Sequence, residues 1–216
     1  MIKRVFSAII RRIKSRYYTL KYVDGKGEIY FASNSVKLKV RKGKNAKLNI
    51  DGKLMVISHL MGTNQTNIVL GERAKLSVRG DFQLGNGVTI ALAEDARLTI
   101  GGKLKESNSG ITANSTLMVN KKIAIGRDFL CAWDVFITDS DWHSIEGQHH
   151  QGDVIIGDHV WIAHKSSILK GTIIGDGCIV ASHSKLGNKE YPEDSLIGGT
   201  PGKVLRTDVS WNGNLK

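Results

Sequence analysis

The chain has 216 residues, which suits one domain or one solenoid with short additions. Aromatic residues are only 6%, Gly numbers 24 and Pro 2, a composition suited to many tight corners around a narrow core; the formal net charge of +11 favours anionic partners without choosing between nucleic acid, lipid and acidic or phosphorylated ligands. Two cysteines, Cys131 and Cys178, with no CxxC, imply buried thiols in a reducing compartment rather than a disulfide framework, and no run approaches the ~20 apolar residues of a membrane-spanning helix.

Residues 1–23 stand apart. Lys3, Arg4, Arg11, Arg12, Lys14, Arg16 and Lys21 precede the first acid, Asp24, while Ile2, Val5, Phe6, Ile9, Ile10 and Ile13 recur at helical spacing. This predicts a basic amphipathic helix. Its apolar stretch is broken by Arg11 and Arg12 and lacks a small-residue cleavage site, so it does not read as a signal peptide. Two roles are open: peripheral attachment to an anionic membrane, or a cap on the edge of whatever sheet follows.

From about Tyr30 a loose repeat begins: AKLNIDGKL (46–54), AKLSVRGDF (74–82), ARLTIGGKL (96–104) and STLMVNKKI (115–123). Its A-x-L-x-I alternation is a strand and the following Gly a corner. Aligning Leu48, Leu76, Leu98 and Leu117 predicts early coils interrupted by loops at 55–67, 83–94 and 105–112. A strict period of six then appears at Val119, Ile125, Cys131 and Ile137, and again at Ile156, Ile162, Ile168, Ile174, Val180 and Leu186. Six is neither helical nor simply alternating; it predicts a hexapeptide β-helix with the lead residue buried and a mostly small residue after it at each corner. The repeat ends at Leu186, apart from one more pair at Ile197 and Gly198, and 207–216 is a tail.

Between Ile137 and Ile156 the rule fails: TDSDWHSIEGQHHQGDV intrudes over 19 residues, nearly one coil, so the backbone is expected to follow the coil path while its side chains change character. Such a break in local consistency is where a functional site is expected. His143 is the candidate general base, since an imidazole titrates near neutral pH. Asp139 or Asp141 is expected to orient it, as the acid does in a hydrolase triad; Asp141 falls on a nominally inward position, and Glu146 is a third candidate. His149 and His150 either contact substrate or, on the simpler reading, are polar loop residues, and Trp133 and Trp142 either stack on a sugar face or pack under the loop.

The hexads, the segment IGDHVWIA (156–163) and the ending GGTPGKVLR (198–206) resemble the hexapeptide-repeat acyltransferases, and within them the O-acetyltransferases of sugars and bacterial polysaccharides. The resemblance is tight from about 119 to 206. It implies an all-β chain, a left-handed parallel β-helix over 30–206 with an insertion at 138–153, preceded by the helical segment 1–23. It also implies a homotrimer with sites in the clefts between copies, and acetyl-CoA as acyl donor lying along the coil wall. On this resemblance His143 matches the family's catalytic His, and Trp161 its Trp beside the thioester. Ala163 and His164 approach the pantetheine, with a backbone N–H near Ala163 facing the thioester oxygen. Ala181 and Ser182 match the next coil's close approach, and Thr200, Pro201, Lys203 and Arg206 the nucleotide end, with Lys189 a weaker phosphate candidate. His164 is bulkier than the family's usual small residue.

The implied activity is acetyl-CoA-dependent O-acetyl transfer to a sugar hydroxyl of a cell-surface polysaccharide or its precursor, with no metal and no nucleic-acid partner, at a cytoplasmic location or the inner face of the plasma membrane. Amino-sugar N-acetyl transfer, serine-type O-acetyl transfer and a purely structural β-helix are the alternatives. His159 and His164, five apart, are the spacing of a β-helix zinc site, but the upstream His such a site needs is Ile123 here.

Overall fold

The computed structural model describes residues 2–59, 61–103 and 109–213. Among them one helix, α1 (Ile2–Tyr22), precedes strands that form three sheets of nine, seven and seven. Each strand pairs in parallel with the strand one coil below and one coil above; the one antiparallel pairing between strands joins Leu196–Gly198 to Lys203–Arg206 at the far end. The three sheets are the faces of a left-handed parallel β-helix.

The hexad explains the wall. Ile156, Ile162, Ile168, Ile174, Val180 and Leu186 are all at most 2% exposed and stack one above another inside the prism, Ile162 on Val180 and Ile168 on Leu186. Fully burying such a side chain contributes roughly 1.5–3 kcal/mol. The fifth positions, Val160, Ser166, Thr172, Cys178 and Ser184, are buried too. Their hydroxyls donate to corner carbonyls, Ser166 to Ala181 at 3.0 Å, Thr172 to Leu169 at 2.7 Å and Ser184 to Ala181 at 2.6 Å, so no buried hydroxyl there is left unpaired.

Three expectations change. Leu98 pairs with Ile123, whereas Leu117 belongs to another face, between Ile90 and Ile137; strands on adjacent faces share one alternation, so pattern alone slipped the alignment by a face. Residues 83–94 are not a loop but hold the end of strand Phe82–Leu84 and all of Thr89–Leu92; of the loop expected at 55–67, only 57–59 and 61–65 lie outside strands among the described residues, and of that expected at 105–112, Gly110–Ile111 is a strand while 105–108 lie outside the described residues. The repeat also does not end at Leu186: Tyr191, 2% exposed, takes the lead position above Ile174, its hydroxyl donating to Gly202 O at 3.2 Å.

Helix α1 caps the first coil, but with its polar face. The coil's edge presents unpaired backbone groups. Ser15 Oγ accepts from Phe31 N–H at 3.1 Å and Thr19 Oγ1 from Ile29 N–H at 2.9 Å; Tyr18 Oη donates to Leu38 O at 2.8 Å and Lys14 Nζ to Val36 O at 2.6 Å. Tyr18 packs edge-on against Phe31, with centroids 4.9 Å apart.

Candidate functional site

Corner residues follow the strands of the nine-stranded face in a single column. After Leu130–Cys131 come Ala132 and Trp133; after Trp161–Ile162 come Ala163 and His164; after Ile179–Val180 come Ala181 and Ser182; after Leu196–Gly198 come Gly199 and then Thr200 and Pro201. The structure therefore brings together Trp161, Ala163, His164, Ala181, Ser182, Thr200 and Pro201 along one edge of the prism. The 18-residue coil is the cause, because it sets Ala163 under Ala181, with Ala163 N–H donating to Val180 O at 2.9 Å and Ala181 N–H to Ile197 O at 2.8 Å. Small side chains keep the column open, and a cavity of about 250 Å³ lies against it, lined by Trp133, Trp161, Ala163, His164 and Ser182 together with Thr112 and Leu130–Ala132.

The ladder bond at Ala163 has a consequence for the expected oxyanion donor. That N–H is committed to Val180, so it does not face a ligand. Among the described residues the adjacent His164 N–H has no backbone acceptor.

Aromatic rings stack around the cavity. Trp133 lies between His59 and His164, with centroids at 6.3 and 5.3 Å, and His183 meets His164 edge-on at 4.9 Å. His164 Nδ1 lies 3.0 Å from Ser182 Oγ. Further along, Trp211 stacks on His159 at 4.0 Å with rings 8° from parallel, donates from Nε1 to His159 O at 3.0 Å, and tilts toward Trp161 at 6.1 Å. The tail is thus tied back to the wall. The sequence reading missed His59, His183 and Trp211. His183 carried a usable signal, being one residue past Ser182 in the corner phase; His59 and Trp211 reach the site from a loop and a tail with no periodicity to locate them.

Cys131 forms the floor. Burial pushes its thiol up to about 12, against a smaller opposing effect of its hydrogen bond with Ser115. It is a packing residue without nucleophilic character.

His143 lies elsewhere. Residues 139–152 leave the wall through an antiparallel neck, with Ser140 bridging Gln151, Asp141 N–H donating to His150 O at 2.8 Å and Gly152 N–H to Asp139 O at 3.0 Å. The backbone therefore departs from the coil path, contrary to the spacing-based expectation. Residues 141–150 are all exposed, His143 among them. This protrusion lies between Phe136–Thr138 and Val154–Ile156, the corner joining the two seven-stranded faces, and not the corner that carries Trp161.

Neither aspartate touches His143. Asp139 is fully buried, and its carboxylate accepts from the backbone N–H groups of Asn120 at 2.7 Å, Lys121 at 2.8 Å and Lys122 at 2.5 Å. Asp141 does not point inward; it pairs with Lys170 Nζ at 2.5 Å, and the same ammonium donates to His149 O at 2.5 Å. Lys170 thus ties both sides of the protrusion to the next coil. Trp142 Nε1 donates to Thr138 Oγ1 at 3.1 Å, so this ring is held by the neck. Glu146 and His150 are exposed loop residues. Lys203 and Arg206 are exposed on the terminal antiparallel strand beyond Thr200, and Lys189 lies over the Tyr191 ring, 5.4 Å from its centroid. Among the described residues no group of three His, Cys, Asp or Glu side chains converges to hold a metal ion, and no helix is long and apolar enough to cross a membrane.

A family model described as bacterial transferase hexapeptide (six repeats) matches residues 153–188. The chain is 30% identical over 168 residues to a polysialic acid O-acetyltransferase of Neisseria meningitidis, a match covering 68% of this chain and 76% of that protein. It is 28% identical over 182 residues to an uncharacterized 24.8 kDa protein in the cps region of Klebsiella pneumoniae, covering 82% of this chain and 79% of that one. In three dimensions it resembles the crystallographic structure of the polysialic acid O-acetyltransferase OatWY, with a TM-score of 0.58 at 24% identity over 89% of this chain and 92% of that one, a likeness of fold.

Proposed function

Since the chain belongs to the hexapeptide-repeat acyltransferases, we propose that it transfers an acetyl group from acetyl-CoA to a hydroxyl of a bacterial surface polysaccharide or its precursor, with His143 as general base. The observation that carries this reading is the open column Trp161, Ala163, Ser182, Thr200–Pro201, beside which an extended thioester arm can run against backbone. Lys203 and Arg206, exposed at its upper end, suit the donor's phosphates.

The imidazole of His143 takes the proton of the acceptor hydroxyl as its oxygen attacks the thioester carbonyl. The His164 N–H stabilises the oxyanion that develops. Collapse expels the CoA thiolate, which leaves with the proton that His143 had taken. The O–H and C–S bonds break and the ester C–O and thiol S–H bonds form, so no other reactant is required. Because His143 and the column occupy different corners of one chain, the proposal includes a homotrimer in which the protrusion of one copy reaches the column of its neighbour.

The test measures acetyl-CoA turnover against sugars, nucleotide sugars and oligosaccharides, alongside CoA binding. His143→Ala is expected to lose roughly 10²–10⁴-fold in turnover while binding CoA unchanged, and the protein to sediment as a trimer. Bound CoA with no release to any acceptor, or full turnover in the His143→Ala protein, overturns the reading; a fully active monomer overturns the shared site.

A further inference from the structure

Helix α1 presents an apolar stripe to solvent. Phe6 and Ile13 are each 64% exposed and Leu20 is 76% exposed; Val5, Ile9, Ile10 and Tyr17 are exposed with them. At 100° per residue these seven fall on the side opposite Arg11, Lys14, Ser15, Tyr18 and Thr19, which bond to the first coil. The stripe therefore points away from the solenoid. A helix that only capped the coil would turn its apolar side inward; this one hydrogen-bonds inward and leaves its apolar side without a partner.

Charge identifies the partner. The first 53 residues hold fifteen of the 31 Lys and Arg and three of the 20 Asp and Glu, so this end carries a net +12 and the remaining 163 residues a net −1. The net positive charge of the chain thus resides in the first 53 residues, in the helix and the coil it covers. Exposed Arg12 and Arg16 flank the stripe on one edge and exposed Lys21 on the other. A second copy pairing through the same face would bring these cations together without an acid, since α1 contains none.

We propose that α1 is an interfacial anchor that lays its Phe6–Ile13–Leu20 stripe into an anionic bilayer, with the axis of the solenoid rising from the membrane. Apolar burial and attraction to anionic headgroups act together in such a helix. This inference is independent of the acetyl-transfer reading.

The full chain is mixed with vesicles of phosphatidylcholine, or of phosphatidylcholine with about 30% phosphatidylglycerol, and sedimented. Binding is expected at least about tenfold tighter to the anionic vesicles and weakened by salt. Phe6→Ser with Ile13→Ser is expected to lose at least about tenfold, since a single lipid-inserted apolar group already contributes measurably. Arg12→Glu with Arg16→Glu is expected to abolish the preference for anionic lipid. All five positions that bond to the first coil, Arg11, Lys14, Ser15, Tyr18 and Thr19, are kept in both variants, so circular dichroism and melting are expected to match the parent. Absent or charge-indifferent binding overturns the proposal. So does a serine variant that binds vesicles as the parent does, and if that variant also falls apart into smaller species the stripe is a contact between copies.

Discussion

Replacing Asp139 by Asn separates a structural acid from a catalytic one. The carboxylate is fully buried and accepts three backbone N–H groups, one on Oδ1 and two on Oδ2. In Asn one of these oxygens becomes an NH₂. If the remaining oxygen keeps Lys121 and Lys122, the amide nitrogen faces the Asn120 N–H, and a buried donor loses its acceptor at about 1–3 kcal/mol. The two retained bonds pass from charged to neutral, which costs about 1 kcal/mol each. The sum is about 4 kcal/mol, or a melting temperature lower by about 8–16 °C for a chain of this size. Urea unfolding of Asp139→Asn against the parent measures it, with turnover normalised to folded protein. Unchanged stability with turnover lower by about 10² would refute the reasoning and return Asp139 to the role of an acid that acts through His143.

Ser182→Trp, at an exposed corner of the column, is expected to raise the Kd for CoA at least about tenfold with little change in melting, because an indole there obstructs a path that only small side chains leave open; calorimetric titration reads it. Cys131, pushed up to about 12 by burial, and Cys178, also raised by burial, are expected to resist thiol reagents at pH 8 in the native state and to react once the chain is unfolded. Asp24 is pulled to higher values by burial but held on balance below its ordinary 3.8 by Lys42, the Leu48 N–H and Lys47. A depressed carboxylate contributes stability that is fully present above the unfolded value and is lost as pH falls through the folded one. Melting temperature is therefore expected to hold from neutral pH to about 5 and to fall steadily below 3.8, and Asp24→Asn to flatten that fall.

The wall was legible because one lead residue every six is a constraint of geometry rather than of propensity: Ile162 must meet Val180, and Ile168 must meet Leu186. The early coils were harder, since Leu98 and Leu117 obey the same alternation while belonging to different faces. His143 was visible as the break in the repeat, but the direction of the break was not, because the neck is built from backbone bonds such as Asp141 N–H to His150 O that leave no mark on composition. The two aspartates illustrate the same limit. Nothing in DSD distinguishes a residue that gathers three amides from one that clamps Lys170. The helix showed its apolar period, but which side faces the coil was decided by hydroxyls at Ser15, Tyr18 and Thr19 meeting an open strand edge.

The stacking of coils also makes the molecule a ruler. Five strand steps separate Glu28–Phe31, beneath the helix, from Trp161–Ile162, a height of about 24 Å at ~4.8 Å per step. The helix itself adds about 10 Å. With the helix resting on a lipid surface, the reacting column stands some three nanometres above it. If both proposals hold, a glycan growing from an anchor in that surface would meet the column only once it is several units long, and the units next to the anchor would pass beneath it unmodified. On those proposals the number of coils, rather than any side chain, would set where along the polymer the first acetyl group is placed, and inserting one 18-residue coil below the column would move that point outward by one ~4.8 Å step.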